Sequence, residues 1–79
     1  MSNLKLYKKS FVKGLEINEG IDLENLKYND IPEWDSIGHM SLISELEQNF
    51  NLTFDTDDIV NFSSFSEGKK ILAKLKIDL

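Results

Sequence analysis

The residues with the clearest chemical capacity sit together in Asp35-Ser36-Ile37-Gly38-His39, on the way into a strongly patterned helix. A serine at a loop-to-helix junction has three uses. Its oxygen can cap the helix by accepting a backbone hydrogen bond. It can be a phosphorylation site. It can also carry a phosphate-linked group, since helix N-termini stabilise negative charge. On local physics alone the cap is the simplest of these. Ser36, His39 and Asp35 could also be set out as a hydrolase triad. They lie within one turn of each other, with nothing to frame an oxyanion hole and no Gly-x-Ser-x-Gly elbow, so intrinsic catalysis is not expected. His39 is expected at the surface one turn past Ser36, placed to touch a phosphate there.

Composition narrows the remaining choices. The chain has 79 residues and is expected to form one domain over 1–79. It contains no cysteine, which excludes a disulfide framework and a protein thiol nucleophile, so any sulfur chemistry must arrive on a cofactor. His39 is the single histidine, which argues against a multi-histidine metal site. An EF-hand starting at Asp55 would need glycine and glutamate where Val60 and Ser66 stand, and is rejected. No apolar run suits a membrane helix and the N-terminal residues lack a signal-peptide core, so a cytoplasmic setting without membrane contact is expected. The net charge of −5 is unevenly spread. Every acid except Asp78 lies within 14–67, where Lys27 is the only base, whereas both ends are rich in lysine. Such an acidic centre repels nucleic acid and favours basic partner surfaces.

The elements that must position Ser36 follow from periodicity. Leu4, Tyr7, Phe11 and Leu15 predict a helix over 3–16, with Gly14 weakening its last turn. Residues 17–35 read as a long connection plugged onto the core by Ile21, Leu23, Leu26, Tyr28 and Ile31, with a turn near Leu23–Leu26. A second helix spans 36–50, with Leu42, Ile43, Leu46 and Phe50 inward. Its adjoining face, Ile37, Met40, Ser41, Ser44 and Glu47, mixes apolar and polar residues and suits partner contact. Asn51 ends it. After an extended link at 52–54, aspartates introduce a short third helix near 57–61. Ser64-Phe65-Ser66-Glu67 reads as a capping box opening a last helix over 64–76. Phe65, Ile71, Leu72 and Leu75 form its buried side, and Gly68 is a soft spot within it. The expectation is an all-α bundle of three main helices and one short one, with a long loop between the first two.

Trp34-Asp35-Ser36-Ile37, followed by Met40, Leu42, Ile43, Leu46, Glu47 and Phe50, resembles the acyl carrier protein family. The likeness runs from the long loop through the last helix and includes the chain length, the helix order, the acidic middle and Asp55–Val60 in the third-helix place. It implies that Ser36 carries 4'-phosphopantetheine, attached from coenzyme A by a phosphopantetheinyl transferase using magnesium. Asp35 would help engage that transferase. The arm's thiol would bear acyl or aminoacyl groups as thioesters for loading and transfer enzymes with basic docking surfaces. The chain itself would be a monomeric carrier rather than a catalyst, with Ile37, Met40 and Glu47 as docking residues. Gly38 and Ser41 stand where carriers of fatty-acid synthesis commonly have acids, and Ser44 replaces a frequent apolar docking residue. The electrostatic grip would then fall more on Glu33, Asp35, Asp57 and Asp58, and both fatty-acid synthesis and a specialised pathway stay open. A sheltering cleft between the second and third helices would be lined by Phe54, Ile59, Val60 and Phe62 beside Leu46, each of which also suits ordinary core. The alternative from the residues themselves is a helical adaptor that binds a partner through the Ile37–Met40 face without modification.

Overall fold

The computed structural model describes residues 2–79. Among the described residues four helices follow in order: α1 (Asn3–Leu15), α2 (Ser36–Phe50), α3 (Thr56–Asn61) and α4 (Phe65–Lys74). The fold is a small all-α bundle with its long connection between α1 and α2, as the periodicity predicts. None of the described helices is long and apolar enough to cross a membrane.

Each helix begins on a side-chain cap. Ser2, Asp35, Asp55 and Ser64 accept from the backbone N–H three residues ahead, which satisfies one of the otherwise unpaired donors of the first turn. At α4 only the serine half of the expected capping box forms, because the Glu67 carboxylate turns to Lys70 at 3.3 Å. Helices α1 and α2 stop alike. Glu16 and Asn51 adopt left-handed φ of 54° and 52°, and the next N–H in each case folds back onto a carbonyl of the last turn.

Helices α1 and α2 make the principal packed pair. Gly14 lies at their crossing, where a Cβ would meet the Leu42 Cα at 2.8 Å. Its role is close backbone approach, not the fraying expected from helix propensity. Gly68 is likewise buried, with the Tyr7 hydroxyl and the Phe62 ring occupying the space a Cβ would take. Both glycines trade helix propensity for packing. A polar link crosses the same interface: Asn49 donates to the buried Ser10 Oγ at 2.8 Å, and Ser10 donates to the Leu6 carbonyl.

Aromatic residues dominate the centre. Phe11 packs edge-on to Trp34 at 5.4 Å and lies 5.1 Å from Phe65, and Tyr7, Phe62 and Trp34 are all buried. Tyr7 donates to the Phe65 carbonyl at 2.7 Å. Burial holds its phenol protonated far above the usual tyrosine range, with the Glu24 charge adding to the effect.

The connection of 17–35 is a chain of turns. Leu26 N–H bonds to Leu23 O, Asp30 N–H to Lys27 O and Trp34 N–H to Ile31 O. Leu23 and Leu26 anchor it as expected, Ile21 and Ile31 are half-buried, and Tyr28 is only partly covered. An antiparallel bridge between Lys27 and Ser64 ties the loop to the start of α4, with Tyr28 N–H on Ser63 O and Phe65 N–H on Leu26 O, each at 2.9 Å.

Candidate functional site

The first turn of α2 is built by its predecessor, not by its serine. Asp35 is the N-cap, in extended geometry, and its carboxylate accepts from Gly38 N–H at 2.8 Å. Ser36 is therefore the first helical residue, and its hydroxyl is released from capping. The simplest sequence reading, a capping Ser36, gives way to an exposed hydroxyl. Tyr28 OH lies 3.5 Å from Ser36 Oγ. Tyr28 is held there by edge-on packing against Trp34 and His39, at 6.2 and 5.5 Å.

Gly38 has a steric reason that charge considerations miss. A Cβ there would collide with the Glu33 backbone carbonyl, which lies directly over the first turn. The absence of a side chain lets residues 33–35 fold down so that Trp34 is buried and Asp35 reaches its cap position.

His39 is partly buried, not the free surface residue expected. Trp34 Nε1 donates to His39 Nδ1 at 3.0 Å. Since indole N–H only donates, Nδ1 is the acceptor, and Nε2 carries the proton that goes to the Ile59 carbonyl at 2.8 Å. That carbonyl belongs to the last four of α3, which have no partner within the helix. His39 thus ties the loop, α2 and α3 together. Both ring nitrogens are engaged away from Ser36, which leaves neither to activate its hydroxyl as a base.

Between α2 and α3 runs a cleft of about 320 Å³, lined by Tyr28, Ser36, His39, Met40, Ile59, Val60, Phe62 and Ser63. Ser36 stands at its edge beside exposed apolar groups: Met40 is 54% and Val60 73% exposed. Ile59, Val60 and Phe62 line it as anticipated. Phe54 and Leu46 do not, being buried in the core behind it at 4% and 0% exposure. Ile37 is 82% exposed and lies on the other flank of Gly38, beside Pro32 and Ser41.

The acidic residues divide. Glu33, Asp35 and Asp57 are exposed, although the Asp35 carboxylate is occupied by its cap. Asp58 is 3% exposed and paired with Lys74 at 2.9 Å, so the docking role expected for it does not fit its burial. The bond to Asp58 and that residue's charge raise the affinity of Lys74 for its proton. Glu47 accepts from Phe54 N–H at 2.9 Å, which fixes the link between α2 and α3, and Glu45 pairs with Lys13 at 3.6 Å. Among the described residues no cluster of acids and histidine could hold a metal ion.

Sequence reasoning missed the structural roles of Trp34 and His39. Spacing five residues apart falls outside the helical period, and a loop residue bonded to a helix residue leaves no periodic trace. Comparison of the chain with protein-family models, curated proteins and solved structures finds no match.

Proposed function

We propose that the chain is a carrier domain of the acyl-carrier type, with Ser36 as the attachment point for 4'-phosphopantetheine supplied by coenzyme A. The observation that carries this reading is the division of labour at the start of α2. Asp35 caps the helix, so the Ser36 hydroxyl is released from capping and exposed beside an apolar cleft. The positive end of the α2 dipole favours a phosphodiester at that position. The arm would bring the thiol that the chain lacks and carry acyl or aminoacyl groups between partner enzymes, in fatty-acid or specialised biosynthesis. Asp35 would meet the transferase, and Ile37, Met40, Val60 and Asp57 would form the exposed surface offered to basic partners.

Incubation with a phosphopantetheinyl transferase, magnesium and coenzyme A tests the assignment. The expected result is a gain of one arm's mass in the wild type and none in Ser36→Ala. An unchanged wild-type mass with several promiscuous transferases, or an adduct that survives Ser36→Ala, overturns it. The exposure of Ile37 and Met40 also favours a second reading, an adaptor that docks through the start of α2 unmodified. Full biological activity of Ser36→Ala would select that reading.

A further inference from the structure

We infer that the cleft beside Ser36 accepts a short acyl group and excludes a long one, because the His39–Ile59 bond closes the route from the cleft into the core. This inference rests on the carrier reading of Ser36 and specifies its cargo.

The cleft is open to solvent at Ser36, Met40 and Val60, all of them exposed. Its volume of about 320 Å³ lies at the small end of the roughly 300–1,000 Å³ typical of ligand pockets. Its far side is a fixed floor. His39 Nε2 donates to Ile59 O at 2.8 Å and so spans from α2 to α3. The Phe62 ring lies 6.2 Å from His39 and 6.1 Å from Phe54, and Phe62 lines the cleft whereas Phe54 does not. Phe62 therefore separates the cleft from Phe54 in the interior.

A chain growing from the cleft toward Phe54 and Leu46 must part His39 from Ile59 and displace Phe62. Parting the first pair strands the Ile59 carbonyl at the end of α3. Moving the imidazole also strands Trp34 Nε1, on a side chain that is 0% exposed and whose N–H is bonded to His39. Displacing Phe62 disturbs its packing with Tyr7 and Phe11, at 6.5 and 6.0 Å. The two hydrogen bonds of His39 and the packing of Phe62 thus resist opening in this direction. A short acyl group needs none of them broken. It can lie on Met40, Ile59, Val60 and Phe62, the apolar part of the lining. A chain that outgrows the cleft would leave its distal carbons in water or on a partner.

The test loads the full chain with amide-linked acetyl, butyryl, octanoyl and decanoyl pantetheine arms and follows side-chain resonances in solution. Mass gain at Ser36 is read first. Absence of any gain overturns the carrier reading and this inference with it. With the arm in place, butyryl is expected to shift Ile59, Val60 and Phe62, and octanoyl and decanoyl to add no further shift there and none at Leu46 or Phe54. In His39→Ala the octanoyl arm is expected to shift Leu46 and Phe54. Octanoyl-induced shifts at Leu46 and Phe54 in the wild type overturn the inference while the carrier reading stands. So does a folded His39→Ala protein that responds to octanoyl as the wild type does. The wild-type series decides the matter even if the variant does not fold.

Discussion

Trp34 and His39 share a hydrogen bond of 3.0 Å, Nε1 to Nδ1, between a loop residue buried at 0% exposure and a helix residue that itself holds α3. The pair joins the loop to the helix that presents Ser36. Replacing the imidazole leaves an indole N–H and a carbonyl without partners. His39→Ala is expected to lower stability by about 1–3 kcal/mol, the cost of stranding a buried polar group. Urea unfolding followed by emission of the single tryptophan measures both stability and the local environment, because Trp34 is that tryptophan. An unchanged midpoint with unchanged emission would refute the structural role.

The cap and the candidate attachment point are adjacent but separable. Asp35→Ala removes the acceptor for Gly38 N–H and should cost about 1 kcal/mol. Ser36→Ala touches no cap and should stay within about 0.5 kcal/mol of the wild type while losing all mass gain from coenzyme A. Thermal unfolding of both variants beside intact mass decides this. A larger loss of stability in Ser36→Ala than in Asp35→Ala would return the serine to a capping role.

Gly38→Ala places a methyl group against the Glu33 carbonyl, which is backbone and cannot rotate away. The expected cost is about 1–3 kcal/mol, as for other insertions into packed positions. Because the displaced segment contains Asp35 and Trp34, arm transfer to Ser36 should slow as well. Transfer kinetics at wild-type rate in a folded Gly38→Ala protein would show that the close approach is irrelevant to the site.

Alkaline pH should destabilise the fold through Tyr7 and Lys74. Tyr7 keeps its proton in the fold beyond the ordinary value of 10.0 at which the unfolded chain releases it. From that pH upward the unfolded state is favoured progressively. Lys74 acts in the same direction. Its raised affinity for a proton stabilises the fold fully below the ordinary lysine value of 10.5, and that contribution is lost as pH rises through the folded value. Tyr7→Phe removes the first effect and forfeits one hydrogen bond, about 0.5–1.5 kcal/mol at neutral pH. Denaturant midpoints between neutral pH and strongly alkaline pH should therefore fall less steeply in Tyr7→Phe than in the wild type. Parallel curves would assign the alkaline loss elsewhere.

The helices were legible in the chain because their signals are local. Tyr7, Phe11 and Leu15 recur at helical spacing and are buried, and Asn51 and Ser64 mark ends that the structure keeps. What escaped was set by tertiary proximity. Gly14 and Gly68 look like weak points in isolated helices and become contact points only once Leu42, Tyr7 and Phe62 are brought against them. Asp58 reads as one more exposed acid until Lys74 of α4 covers it. At the site, the position of Ser36 was readable from its helix start. The transfer of capping to Asp35, the engagement of His39 and the withdrawal of Phe54 and Leu46 from the cleft depend on partners distant in the chain.

The bridge between Lys27 and Ser64 also orders events in time. Tyr28, whose hydroxyl approaches Ser36, is pinned by the carbonyl of Ser63, and Leu26 receives the N–H of Phe65. During synthesis, which proceeds from the N-terminus, those partners arrive after Ser36. Ser36 is made before α4, but its finished surroundings exist only after α4 has begun to form. A modifying enzyme that reads this neighbourhood would therefore distinguish a completed domain from a nascent one.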